Sequence, residues 1–184
     1  RIVRDMVDEG LLAREEACRR LHTNGWIPQL RPEIPPETAS RARASDRLLA
    51  QGWGVSAGAV VGAVAFDAET ARAYAEAGRA VILIREILGL VNYEDLFAVQ
   101  GVVLQAVPPM ANSAVACLGV NLPAVTTLPE MEIDAAAGTA RVGDRVIREG
   151  DVITLDGLTG ELILGPVPLT PSPVLETLRA LCPS

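Results

Sequence analysis

The sequence predicts an α/β fold, with helices layered on a sheet, and three observations carry that reading. Strand-length apolar runs alternate with helical stretches between residues 55 and 126. One of these runs, Ala80-Val81-Ile82-Leu83-Ile84, is apolar without a break, the pattern of a strand covered on both faces. After residue 130 the texture changes to short apolar runs between closely spaced turn signals, which reads as an antiparallel meander. Strand–helix alternation followed by a meander implies layered helix and sheet.

The elements follow in order. Ile2, Val3, Met6 and Val7 recur at helical spacing, and Gly10 is a suitable stop. A second helix is expected over about Leu12 to Leu21, with Glu15–Arg19 and Glu16–Arg20 in the favourable order. Residues 28–46 read as linker, because Pro28, Pro32, Pro35 and Pro36 interrupt both periodicities. Val55 to Phe66 reads as extended chain with a turn. A helix capped by Asp67 runs to Gly78. A short helix is expected over Glu94 to Gln100, a buried strand at Val102-Val103-Leu104, a helix from Asn112 to Leu118, and a third strand at Ala124-Val125-Thr126. Meander strands are expected around residues 140–142, 146–147, 152–155 and 161–164. Pro166, Pro168, Pro171 and Pro173 then mark an exit, with Ser172 and Pro173 placed to start a last helix. The expected organisation is a helical lead-in and linker over 1–46, a main domain over 47–168, and an exit segment over 169–184. The chain starts at Arg1 within a helical pattern, so a piece of a longer protein is expected.

Composition narrows the function. The 184 residues are 49% hydrophobic with few aromatics, enough for a core of Val, Leu, Ile and Ala. The formal net charge is -7, and the 16 basic residues are scattered among 23 acidic ones. A nucleic-acid partner needs a basic face, and none is clustered here; an anionic membrane is disfavoured on the same ground. No charge falls between Leu96 and Pro129, but Pro108, Pro109 and Pro123 would break a spanning helix. That stretch reads as the buried centre of the domain. Cys18, Cys117 and Cys182 have no metal-type spacing, no signal peptide is recognisable, and a cytoplasmic location is expected. Cys117, in an apolar stretch, is expected to be a buried thiol.

Several runs together resemble the central phosphohistidine, or swivelling, domain of pyruvate phosphate dikinase and the wider family of phosphoenolpyruvate-utilising enzymes. Asp5-Met6-Val7-Asp8-Glu9-Gly10-Leu11-Leu12 with Glu15-Glu16-Ala17 resembles the helical lead-in to that domain. Ser56-Ala57-Gly58-Ala59-Val60-Val61-Gly62 resembles the family's S-P-G-A-x-x-G, with Ala57 in place of Pro. Val81-Ile82-Leu83-Ile84-Arg85 resembles its V-I-L-V-R strand. Arg148-Glu149-Gly150-Asp151-Val152-Ile153-Thr154, Asp156-Gly157 and Thr159-Gly160-Glu161 resemble its closing hairpins. The resemblance covers nearly the whole chain in order. It implies a layered β/β/α domain that swivels between an ATP-grasp-like and a barrel-like domain. It also implies ATP, phosphoenolpyruvate and Mg in those other domains, with no cofactor in this one.

In that family a histidine within a motif like G-G-M-T-S-H-A carries the phosphoryl group. The corresponding stretch here is Val107-Pro108-Pro109-Met110-Ala111-Asn112-Ser113, framed by Gly101 upstream and by Gly119 and Pro123 downstream. The resemblance therefore puts Asn112 at the histidine position. An imidazole offers an in-plane lone pair; the nitrogen of an Asn amide is delocalised into its carbonyl and is not a useful nucleophile. Val107 and Pro108 replace two glycines, and Met110 and Ala111 replace hydroxyl residues. Ala106 and Leu118 stand where the family has arginines. Phosphoryl transfer depends on positioned charge and donors, and this loop has shed them. Asn112 is expected instead to cap the helix that follows it. Arg85 is retained, as a possible anion ligand or, more simply, a structural ion pair. His22, the one histidine, is expected on the second helix in a surface or packing role, and Ser56 in a turn hydrogen bond.

These readings give a degenerate swivelling domain with a scaffold, regulatory or binding role. One alternative is a working phosphotransferase domain that uses another carrier, such as His22 or a carboxylate. The other is a protein-interaction module, with an apolar patch formed by residues 87–91 and the Val107–Met110 loop.

Overall fold

The computed structural model describes residues 2–23, 31–87, 95–173 and 175. Two short helices open the chain, α1 (Ile2–Asp8) and α2 (Arg14–Thr23), with Gly10 at a positive φ of 74° between them. The ion pair on α2 joins Arg19 to Glu16, three residues back, in place of the expected Glu15–Arg19 pairing. Cys18 on α2 is disulfide-bonded. None of the described helices is long and apolar enough to cross a membrane.

The stretch read as linker contains a helix, α3 (Pro36–Ala44). Pro36 sits in its first turn, where a missing N–H costs nothing, so the proline density marks a helix start as well as a break. Ala39 and Ala42 of α3 are buried against Ile34, Ala59, Ile163 and Val167.

The main body is an eight-stranded sheet. Its strands are β1 (Leu48–Gln51), β2 (Trp53–Ser56), β3 (Ala59–Ala65), β4 (Val81–Arg85), β5 (Gly101–Leu104), β6 (Ala124–Thr126), β10 (Val152–Asp156) and β11 (Glu161–Leu164), in the order β1-β11-β10-β3-β4-β5-β6-β2. β3, β4, β5 and β6 run parallel, and every other pairing in the sheet is antiparallel. A second, three-stranded sheet is built from β7 (Met131–Asp134), β8 (Thr139–Val142) and β9 (Arg145–Arg148). The expected single meander is therefore split. Its first two strands, β8 and β9, form their own sheet together with β7, and its last two join the main one.

The period of two along each strand sorts the apolar residues into two cores. Val64, Ile82, Ile84, Val103 and Val125 face the small sheet and pack with Met131, Ala140 and Ile147. The alternate residues, Ala65, Val81, Leu83, Val102 and Leu104, face a helical layer. That layer consists of α4 (Ala68–Glu76), α5 (Asp95–Ala98) and α6 (Asn112–Gly119), which bury Ala71, Leu96, Ala114 and Cys117. The layers are thus β/β/α, and β4 is covered on both faces as its unbroken apolar run predicts. Each fully buried aliphatic side chain of this kind contributes roughly 1.5–3 kcal/mol. α4 is capped by Asp67, whose Oδ1 accepts from the Thr70 N–H at 2.8 Å, again as the sequence predicts.

Candidate functional site

Parallel strands in an open sheet present their carboxyl ends together, and ligands of such folds bind in the crevice outside those ends. Here Arg85, Leu104 and Thr126 stand in register at the ends of β4, β5 and β6. The loop after β5 is stitched across this edge. Gln105 donates its N–H to the Arg85 carbonyl at 2.9 Å, and Ala106 to that of Glu86 at 3.0 Å. From the far side the Thr127 hydroxyl donates to the Val107 carbonyl at 2.8 Å. Val107 is buried, and the chain then rises through Pro108 and Pro109 to Met110, which is 84% exposed. The N–H of Ala111 closes a turn onto the Pro108 carbonyl at 3.0 Å, and α6 begins.

Asn112 is exposed at this surface, but it does not cap the helix. Ala111 takes the cap position in extended geometry (φ -69°, ψ 153°), and no side chain closes the helix start. The turn at Pro108–Ala111 sets the helix off one residue too early for the Asn112 amide to reach back over its first N–H groups.

Arg85 departs from the expected structural ion pair. Its Nη1 donates to the Phe66 carbonyl at 3.3 Å, and no ion pair forms at Arg85 among the described residues. Its charge acts instead on Asp67: burial works against ionisation there, but bonds from Thr70 and Glu69 and the nearby Arg85 outweigh it and hold the carboxyl below its ordinary value. Arg85 is thus engaged with the β3–α4 junction.

Two hydroxyls stand out, and only Thr126 is new to the sequence reading. Thr126 Oγ1, at the same strand edge, and Ser56 Oγ are both buried with no hydrogen-bond partner among the described residues. For Ser56 this replaces the turn hydrogen bond expected of it. An unmet buried hydroxyl costs about 1–3 kcal/mol, and nothing in the sequence distinguishes it from a satisfied one. Cys117 is a free, buried thiol as expected, and burial pushes its pKa up to about 11. His22 lies on α2, and its side chain falls outside the described residues, as do residues 88–91 of the expected apolar patch. Among the described residues no three His, Cys, Asp or Glu side chains gather in a way that could hold a metal ion.

Fold and edge together define a β/β/α domain whose candidate site is the β5–α6 loop. The comparisons with known proteins bear on the chain's relatives. The chain is 32% identical over 165 residues to a pyruvate, phosphate dikinase of Entamoeba histolytica, covering 90% of this chain and 18% of that protein. It is 32% identical over 171 residues to pyruvate, phosphate dikinase 2 of Zea mays, and 32% identical over 179 residues to a chloroplastic pyruvate, phosphate dikinase of Flaveria trinervia. These alignments cover 93% and 97% of this chain, and 19% and 18% of the relatives. The chain is therefore homologous, over nearly its whole length, to a segment of the pyruvate phosphate dikinases, and fits the phosphoenolpyruvate-utilising type of domain. It spans less than a fifth of the relatives' length. An NMR solution structure of Enzyme I (nEIt) aligns with 55% of this chain and 35% of its own, at 18% identity and a TM-score of 0.34. No family model matches the chain.

Proposed function

We propose that this domain keeps the frame of a dikinase central domain without carrying a phosphoryl group, and serves a longer protein as a scaffold, regulatory or binding unit. The observation that carries this reading is the chemistry at the start of α6. The residue that the resemblance puts at the carrier position is Asn112, exposed at the strand edge. It sits between Met110 and Ala111 on one side and an apolar helix on the other, while Arg85 is turned to Phe66 and Asp67. An amide is not a nucleophile for phosphorus, and among the described residues no side-chain cation is shown bonded at the start of α6.

In this reading the parent protein holds ATP, phosphoenolpyruvate and Mg in flanking ATP-grasp-like and barrel-like domains, if it is an active dikinase at all. The test is incubation of the full-length protein with labelled phosphoenolpyruvate or labelled ATP, followed by proteolysis and mapping of acid-labile label. The expected result is no label in this domain. Label on any of its residues sinks the reading and supports a different carrier within it.

A second reading, a protein-interaction module, is favoured by the exposure of Ile87, Phe97, Met110 and Leu118 on and around the helical layer. Val107, one of the residues expected in that patch, is buried and contributes nothing to such a surface. Replacement of Met110 and Leu118 by Glu would weaken association with the parent's other domains under this reading and leave it untouched otherwise. The proposed location is the cytoplasm. The disulfide at Cys18 weighs against a strongly reducing compartment, and counting thiols in protein isolated under alkylating conditions decides the point.

A further inference from the structure

A cleft of about 520 Å³ lies between residues 31–36, helix α3 and the turn joining β10 to β11, on the side of the domain that carries β1 and β11. It is independent of the β5–α6 loop: no residue of that loop lines it. The segment in front of it is fastened to the sheet. The Pro32 carbonyl accepts the Ala59 N–H at 2.8 Å, and Glu33 and Thr170 exchange backbone hydrogen bonds of 2.9 Å in both directions. Ile34 is buried beneath.

This fastening seats Arg31 against Gly58. A Cβ at Gly58 would lie 2.7 Å from that of Arg31, and the glycine's φ of 123° is closed to other residues. The stem of Arg31 is thus fixed over the backbone at the cleft.

Four charged side chains line the cleft: Arg31, Glu33, Arg43 and Asp156. Arg43 is committed to Glu161 through two hydrogen bonds of 2.5 and 2.9 Å. Asp156 Oδ1 accepts the N–H groups of Leu158 and Thr159 at 2.9 and 3.3 Å. Glu33 is exposed to solvent. Arg31 alone is half-buried with no hydrogen bond or ion pair to any described residue, and burial lowers its pKa. A desolvated cation without a counter-charge is unfavourable until an anion joins it. Ser40 and Thr159 add hydroxyls, and Pro32, Ile34, Pro36, Ala39 and Leu158 make the remaining wall largely apolar.

We propose that this cleft binds a small organic monocarboxylate with an apolar body, its carboxylate on the Arg31 guanidinium. The planar guanidinium matches a carboxylate through two parallel bonds. The Asp156 carboxylate in the same cleft repels a doubly charged phosphate, and the apolar lining accepts a hydrocarbon body that inorganic phosphate lacks. The volume falls within the range of small-molecule sites.

The test is titration of the purified protein with phenylacetate, phenylacetamide and inorganic phosphate, followed by calorimetry and backbone amide NMR. Phenylacetate is expected to bind saturably in the millimolar range or tighter and to shift Gly58 and Thr159. Arg31→Gln, which removes no internal bond, is expected to weaken it at least about tenfold at an unchanged Tm. Ser40→Phe, which fills the cleft from an exposed position, is expected to abolish it and decides the matter if Arg31→Gln folds poorly. The absence of saturable phenylacetate binding overturns the proposal, as does equal binding by phenylacetamide or by Arg31→Gln. Phosphate binding as tightly as phenylacetate overturns the assignment to a monocarboxylate.

Discussion

Arg43 on α3 holds both carboxylate oxygens of Glu161 on β11, with Nε–Oε1 at 2.5 Å and Nη2–Oε2 at 2.9 Å across 118 residues of chain. Glu161 is only 1% exposed, so its charge depends on this fork and on the Thr159 hydroxyl, which donates to Oε2 at 3.2 Å. The hydrogen bond to Glu161, and then its charge, push the Arg43 pKa up. This contact, with Ala39 and Ala42 beneath it, fastens α3 to the sheet.

Removing Arg43 alone is therefore expected to harm the fold more than removing the pair. Arg43→Met leaves a buried carboxylate without its partner, while the further change Glu161→Met replaces it with an apolar side chain of similar length. Urea unfolding should place the midpoint of the double variant between that of Arg43→Met and the parent protein. A double variant less stable than Arg43→Met would show that Glu161 is held mainly by other groups.

Asp67 supports α4 through its cap. Asp67→Ala is expected to lower stability by about 1 kcal/mol, the usual worth of such a cap. Because the folded-state pKa of Asp67 is depressed, this contribution is fully present above about pH 4 and is lost as pH falls through the lowered folded value. The stability gap between the parent protein and Asp67→Ala, followed by chemical denaturation from pH 7 downward, should hold steady to about pH 4 and narrow below it. The carboxyl is largely in contact with solvent, so the pH-dependent share is the smaller part of the gap.

Cys117 offers a probe of the helical layer. It is wholly buried under α6 and its pKa is pushed up to about 11, so at neutral pH it is neither accessible nor ionised. Native protein should leave Cys117 unmodified by iodoacetamide at pH 8, and denaturant should expose it in the same transition that unfolds the sheet. Modification that precedes global unfolding would mark α6 as a unit that opens by itself.

What was legible in the sequence followed one rule. β4 and β5 are apolar on consecutive residues, and Asp67 stands directly before its helix, so local pattern sufficed for these elements. β1 was missed because Leu48–Gln51 is short and gains its place only by pairing with β11, more than a hundred residues away. β7 has the same difficulty: Met131–Asp134 exposes Glu132 and Asp134 and buries only Met131 fully. α3 was hidden by the prolines in front of it. At the candidate site, the residue types that make up the loop were readable residue by residue. The cap was not, since whether Asn112 or Ala111 takes that position depends on the turn at Pro108.

That loop makes a sharper prediction than the single substitution suggests. If Asn112 were the only obstacle, Asn112→His would restore a phosphoryl acceptor, because the position is exposed at the start of α6. The surroundings argue otherwise. Pro108 and Pro109 have no N–H to offer, Ala111 has no hydroxyl, and Arg85 donates to the Phe66 carbonyl, so among the described residues the loop leading to residue 112 offers a phosphoryl group little support. Asn112→His in the full-length protein is therefore expected to remain unlabelled by labelled phosphoenolpyruvate or ATP. A variant that also restores the loop, with Val107→Gly, Pro108→Gly and Ala111→Ser, is expected to accept more label than Asn112→His alone. Acid-labile labelling of Asn112→His alone would show that the frame was still competent and that only the nucleophile had been lost.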